Sequence, residues 1–331
     1  MRYYTCMPRL REALARRVLV LDGAMGTMLQ AAGLAAADFG GAALEGCNEH
    51  LNLTRPDVVR GIHRAYLEAG ADVISTNTFG CAPYVLGEYG VADRAFEIAR
   101  AGATLAREAA GADRFVLGAM GPSTRSITVT RNVTFDEVRS AYRVQAAGLV
   151  AGGVDALLLE TCQDTLNVKA AALGVREAMR EAGVDLPLMV SATIEPTGTM
   201  LAGQGVEALY VSLQHLGLFS IGLNCATGPE FMTDHVRSLA ALATTFVSVY
   251  PNAGLPDERG QYGETPSSLA FKLRRFLDEA WVNMVGGCCG TTPAHIAAIA
   301  ALARGRAPRV PPTVEPVAVS GIEVLYPADD N

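Results

Sequence analysis

The sequence predicts an α/β fold, a closed (β/α)8 barrel of the TIM type built as a single domain, and three observations carry that expectation. Eight short apolar, β-branched runs recur along the 331 residues. Most are followed by a segment of helical spacing with nameable start and stop signals. The runs are continuously apolar rather than alternating, as strands buried on both faces must be. An open doubly wound sheet is the competing arrangement.

Taken in order, the first run is VLVLDG (18–23), behind an arginine-rich stretch, residues 1–17, read as a helical extension. A helix precedes the second run, DVISTNTF (72–79): Thr54 and Asp57 bracket Pro56 at its start, and Gly70 ends it. FVLGAMG (115–121) is the third. Ahead of the fourth, DALLLETC (155–162), Thr134 and Glu137 make a capping box. LPLMVSATI (186–194), SIGLNC (220–225), FVSVYPNAG (246–254) and VNMVGGCCG (282–290) complete the set. Thr292 is placed to cap the last helix, with Pro293 opening it. The barrel so defined covers 18–305. Residues 306–331 hold five prolines in 26 residues, too many for a helix, and are expected to form an extended Pro-rich linker.

Composition excludes several classes of function. A net charge of −7 with no local basic run provides no electrostatic footprint for nucleic acid. No stretch approaches the roughly 18 apolar residues of a membrane span, and arginines stand where a signal peptide needs its apolar segment, so a cytoplasmic protein is expected. Seven cysteines are an odd number in a chain long enough to bury its own core, which is unlike a disulfide-stapled secreted domain. Any cysteine that acts is expected to bind metal or take part in catalysis. The five histidines, at 50, 63, 215, 235 and 295, form no ligand motif and are read as structural.

A barrel places its chemistry at the carboxyl ends of its strands. There stand Asp22, Asn77, Pro122 and Ser123, Glu160, Thr193, Asn224 and Cys225, Tyr250 and Asn252, and Cys288 and Cys289. The last two are adjacent. Their Cα atoms lie about 3.8 Å apart across a trans peptide, closer than the roughly 4.4 Å at which disulfides begin, so a redox pair is the weaker reading. In a regular strand they would face opposite ways; Gly286, Gly287 and Gly290 permit the strand to end and both to turn one way. Two ligands do not hold zinc, and Cys225 at the end of the sixth strand offers a third. Three thiolates leave the fourth tetrahedral position open, as in catalytic sites. Their charge with Zn2+ sums to −1, which suits a thiol substrate better than a carbonyl. The pattern alone leaves this metal site and three small buried side chains equally open; for Cys6, Cys47, Cys81 and Cys162 the buried role is the expected one.

The stretches LDGAMGTMLQ, GCNEHLNLTRPDVV, GADVISTNTFG, LLLETCQDTLNVKAA, GLNCATGPE, VYPNAGLP and VGGCCGTTPAHI together closely resemble the homocysteine S-methyltransferase family. Within it they are most similar to the N-terminal homocysteine-binding modules of cobalamin-dependent methionine synthases. The resemblance runs from about residue 18 to about residue 300. It implies a (β/α)8 barrel with zinc held by Cys225, Cys288 and Cys289, and homocysteine sulfur as fourth ligand and nucleophile toward a methyl group. It also implies that Asp22 and Glu160 hold the substrate ammonium. The turn Gly23-Ala24-Met25-Gly26 could receive the substrate carboxylate through its N–H groups, and Asn77, Asn224, Tyr250 and Asn252 are pocket or supporting candidates. The implied donor is methylcobalamin on another module, with cobalamin- and folate-binding modules in the same parent chain beyond the linker. Two alternatives stand beside this: a free-standing homocysteine methyltransferase using betaine, S-methylmethionine or S-adenosylmethionine, and a non-catalytic structural or storage zinc protein.

Overall fold

The structure is a computed structural model that describes residues 6–314 and 317–327; residues 1–5 of the expected extension, and 315–316 and 328–331 of the expected linker, lie outside the described residues. Eight parallel strands form the barrel: β1 Leu19–Val20, β2 Val73–Ser75, β3 Phe115–Met120, β4 Ala156–Cys162, β5 Leu188–Ala192, β6 Ser220–Asn224, β7 Phe246–Tyr250 and β8 Met284–Val285. Each pairs with its neighbour in sequence from β2 to β8, and β8 returns to β1 through Leu19↔Met284 and Val20↔Val285. Closure between β1 and β2 rests on one bridge, Leu21↔Val73, supported by Asp22 N–H to Val73 O at 3.0 Å and Asp72 N–H to Val20 O at 2.8 Å. All eight runs read from the sequence carry a strand. Except at β4, whose ladder reaches the last residue of its run at Cys162, each run continues past its last ladder pair into the rim.

Alternation explains why the runs read as continuously apolar. Leu19, Leu21, Phe115 and Leu117 point into the barrel, where they pack with Leu158, Met189 and Met284. Val18, Val20 and Val116 point outward into a second layer shared with the helices. Both faces are therefore dry, and no polar alternation is left to see. The helix Cys6–Arg16 plugs the amino-terminal mouth with Leu10 and Leu14, both fully buried in the inner cluster.

The helix signals act as their chemistry dictates, with one correction. Thr134 Oγ1 accepts from Glu137 N–H at 3.2 Å while Thr134 N–H donates to Glu137 Oε2 at 2.8 Å, opening Phe135–Gly152. Thr292 opens Pro293–Ala303, and His295 takes the reciprocal position, its Nδ1 accepting from Thr292 N–H at 3.2 Å. Thr54, however, does not cap Pro56–Glu68; it ends the short helix Leu51–Thr54, turning its hydroxyl back to His50 O at 3.3 Å. Arg55 occupies the cap position instead, and Asp57 pairs with its guanidinium.

After Gly305 no helix occurs among the described residues, and Val319–Ser320 pairs antiparallel with Val324–Leu325. The start of this tail is anchored. Arg309 is buried, and its guanidinium donates to Ala240 O and Thr245 O, each at 2.8 Å, and to Ala243 O. Asn283 Nδ2 donates to Arg309 O at 2.7 Å, which ties the tail to the foot of β8. Among the described residues no helix is long and apolar enough to cross a membrane.

Arg309→Ala leaves three carbonyls without their donor, that of Ala243 buried and those of Ala240 and Thr245 half-buried. It is expected to lower unfolding stability by about 3 kcal/mol, at roughly 1–3 kcal/mol per lost charged hydrogen bond with partial relaxation. Urea titration of parent and variant measures this; a shift below about 0.5 kcal/mol would show the anchor to be dispensable.

Candidate active site

The carboxyl-terminal mouth holds a cavity of about 450 Å³. Asp22, Glu160, Asn77, the turn Gly23–Met25 and all three of Cys225, Cys288 and Cys289 line it. Among the described residues lining it there is no lysine or arginine.

The cysteines reach one point from two strand ends. β8 stops at Val285, and the following loop is sewn to both neighbours: Gly287 N–H donates to Asp22 O at 3.2 Å and Cys288 N–H to Pro251 O at 2.8 Å. Asn252 Oδ1 accepts from Cys289 N–H at 3.1 Å, and Thr291 Oγ1 donates to Cys288 O at 2.6 Å. Gly290 is required twice over. Its φ is +79°, and a Cβ there would lie 2.3 Å from Cβ of Tyr262.

Cys225 comes from beyond β6 with φ of 61°, followed by Ala226 at 54°. These are left-handed conformations outside glycine, costing of order 1–3 kcal/mol each. The sulfur of Cys225 stands 3.9 Å from that of Cys289, Cys289 and Cys288 are 4.0 Å apart, and all three sulfurs lie within 4.8 Å of one another.

Three thiolates placed tetrahedrally about zinc at 2.3 Å would stand about 3.8 Å apart. The donor set and its spacing fit zinc. Without a metal the three compete for protons: hydrogen bonds from Cys225 and Cys288 push the Cys289 thiol down to about 3, while the bond with Cys225 holds Cys288 well above the ordinary thiol range. Of the remaining cysteines, Cys47, Cys81 and Cys162 are buried; of Cys6 only the backbone is described.

The carboxylates line the same cavity as the thiols. Asp22 is buried, and its Oδ2 accepts from Ser75 N–H at 2.9 Å. Burial pushes it up to about 8, offset in part by that N–H and reinforced by the charge of Glu160. Glu160 lies in a register shift of β4 against β5, between Leu159 and Cys162, which aims it at the cavity. Burial raises it to about 7, while Tyr250, donating to Glu160 Oε2 at 3.3 Å, pulls the other way. Two neighbouring acids, with no lysine or arginine among the described residues along the cavity wall, make this end of the cavity electrostatically suited to a small cation.

The other predicted residues occupy supporting positions. The turn at Gly23 leads into the helix Met25–Ala31, and Ala24 N–H is already donated to Thr291 Oγ1 at 3.2 Å, so that group is spent inside the protein. Asn77 directs its amide to Asn48 O and Asn52 Oδ1. Asn224 is fully buried behind the wall, bonded to Thr161 and Ser191. Pro122 and Ser123 line a separate small pocket, and Thr193 donates to Asn224 O.

A family model described as homocysteine S-methyltransferase matches residues 19–303. The chain belongs to the homocysteine S-methyltransferase family. Among members of this family, proteins named methionine synthase from Mycobacterium tuberculosis and Mycobacterium leprae are 49% and 50% identical over 301 residues, covering 88% of this chain. The chain spans 25% of the length of each. In solved structures, the homocysteine methyltransferase MmuM from Escherichia coli superposes with a TM-score of 0.69 in both its oxidized and its metallated forms. Identity is 23% over 86% of this chain and 95% of that one for the first, and 21% over 90% and 99% for the second, so these establish shared fold alone.

Sequence reasoning about this member of the family missed four site residues: Glu49 and Tyr262 in the cavity wall, Thr161 at the bulge, and Thr291 beneath the cysteine loop. Glu49 accepts from Gly80 N–H at 2.7 Å and is raised by burial. Glu49, Thr161 and Thr291 lie inside the stretches GCNEHLNLTRPDVV, LLLETCQDTLNVKAA and VGGCCGTTPAHI, which was the signal available for them; Tyr262 lies in none of the quoted stretches and had none.

Asp22 titrates at about 8 in the folded chain against 3.8 for an ordinary aspartate. The folded state thus holds the extra proton between those values, and stability falls as pH rises through that window. Metal-free Asp22→Asn is expected to be more stable than the parent at pH 8 by an amount of order 2–5 kcal/mol, since each pH unit is worth about 1.4 kcal/mol. The gap should close toward pH 4. Urea unfolding across that range checks this, and a gap independent of pH would count against the assignment.

Proposed function

We propose that this chain is the module in which homocysteine accepts a methyl group to become methionine, its sulfur forming the new S–C bond while the donor keeps the electron pair of the bond that breaks. The observation that carries the reading is the convergence of three thiols and two cation-free carboxylates on one cavity. Cys225, Cys288 and Cys289 would hold zinc. Bound there, zinc supplies a Lewis acid that keeps a thiol ionised near neutral pH, where a free thiol of pKa about 8.5 is only a few per cent thiolate.

The chain's own residues supply the rest. Asp22 and Glu160 take the substrate ammonium, and its charge draws both carboxyls to their ionised forms, so protons leave the site as substrate enters. Tyr250 steadies Glu160 through its hydroxyl. Gly23, Ala24 and Met25 line the wall that the substrate carboxylate would face. Holding sulfur and ammonium at fixed points aligns the sulfur with its methyl donor, the largest contribution a static site can make.

The donor in this reading is methylcobalamin, carried on a separate module. Residues 306–331 would lead from the barrel at 18–305, itself preceded by the extension 1–17, toward a folate-binding module of a longer chain. Support comes from mycobacterial methionine synthases four times the length of the matched region. The free-standing alternative has no observation of comparable weight in its favour.

Mixing the zinc-loaded chain with homocysteine and free methylcobalamin is expected to yield methionine. Cys225→Ser should lose zinc, read by elemental analysis, and slow transfer at least about 100-fold through loss of thiolate and alignment. Glu160→Gln should raise the KM for homocysteine about 30-fold or more, at roughly 2 kcal/mol or above for a broken buried charge pair, with zinc retained. Normal transfer by zinc-free Cys225→Ser, or turnover with S-methylmethionine in place of methylcobalamin, would contradict the reading.

A further inference from the structure

We propose that Asn224 is a positioning residue that sets the distance between the thiol cluster and Glu160, and with it the length of the amino-acid thiol the site accepts; this rests on the reading of the cavity as a homocysteine site. Asn224 ends β6 with no exposed surface. Its carboxamide is engaged on every side. Oδ1 accepts from Thr161 N–H at 3.0 Å and from the Ser191 hydroxyl at 2.7 Å. Nδ2 donates to Thr161 Oγ1 at 2.8 Å and faces Cys288 Sγ at 3.9 Å. β5 lies between β4 and β6, so one side chain reaches across a whole strand and gathers the ends of β4, β5, β6 and β8.

What Asn224 holds is otherwise unfavourable. Thr161 has φ of 56°, and Cys225, next to Asn224 itself, has φ of 61°. A β-branched residue seldom adopts that conformation, and it persists only where the surroundings over-determine it. Two hydrogen bonds, one donated by Thr161 N–H and one by Asn224 Nδ2, tie Asn224 to Thr161, the residue directly after Glu160. The same amide therefore fixes the bulge that aims Glu160 into the cavity and contacts a sulfur of the cluster. An α-amino thiol bound by its sulfur at one end and its ammonium at the other must span that fixed gap. Homocysteine and cysteine differ by one methylene, a difference worth roughly 10- to 200-fold in a site rigid enough to use it.

The test titrates the zinc-loaded chain and its variants with homocysteine and with cysteine by calorimetry, and records the thiolate charge-transfer band of the cobalt(II)-substituted protein. Asn224→Ala is expected to lower the preference for homocysteine about tenfold or more, and to weaken zinc binding about 10- to 100-fold. Asn224→Asp keeps the acceptor for Thr161 and Ser191 but turns an oxygen toward Cys288. It should move the cobalt band and weaken zinc binding while keeping the preference within about threefold. Thr161→Gly removes the hydroxyl that accepts from Asn224 Nδ2 but keeps the N–H donated to Asn224 Oδ1 and frees the bulge, so it should erode the preference with zinc affinity intact; it decides the matter if Asn224→Ala does not fold. An unchanged preference in Thr161→Gly and in folded Asn224→Ala overturns the ruler, and an unchanged band and zinc affinity in Asn224→Asp overturn the contact to sulfur. A parent chain with no preference for homocysteine overturns instead the functional reading beneath it.

Discussion

Three sulfurs that must meet at one point from two strand ends set the main constraint on this barrel's mouth. Adjacent residues in a strand diverge, so Cys288 and Cys289 converge only because β8 stops after two residues and glycines carry the chain away from the ladder. Cys225 meets them only because the chain beyond β6 enters the left-handed region at two non-glycine residues. The strain is paid for by the contacts around it. Asn224, Asn252, Thr291 and the N–H to carbonyl bonds of the loop all lock that geometry before any ion or substrate arrives. Preorganisation of this kind is what lets a metal bind without reorganising the protein.

The same mouth is electrostatically unfinished. Asp22 is held high by burial and the charge of Glu160, and Glu160 by burial and the charge of Cys289, with no arginine or lysine among the described residues along the wall. On the proposed reading, three thiolates around a divalent cation would add a further net negative charge. A zwitterionic thiol would answer both ends, its ammonium relieving the acids and its sulfur completing the soft donor set.

Much of this was legible in the sequence, and what was not has physical causes. The eight strands could be read because burial on both faces, as at Leu19 and Val20, leaves unbroken apolar runs. The glycines around Cys288 and Cys289 announced a strand end. Strand lengths could not be read, since they depend on where ladder bonds cease. Positive φ at Thr161 and Cys225 leaves no trace either, because neither residue type favours it and only tertiary contacts enforce it. Thr54 misled because a capping residue can as readily close one helix as open the next. Arg309, in a Pro-rich segment, looked like solvent-facing linker but is buried against three carbonyls. Tyr262, outside any helix or strand, and Glu49, in the single 3-10 turn Asn48–His50, belong to segments too short for any periodicity to single out.

The central claim is that the cysteine cluster forms an incomplete coordination sphere that homocysteine completes. X-ray absorption at the zinc edge, recorded on the metal-loaded chain before and after adding homocysteine, tests it most directly. The account predicts three sulfur neighbours at about 2.3 Å with a lighter fourth atom before addition, and four sulfurs after. A sphere filled by protein ligands and unchanged by homocysteine would contradict it.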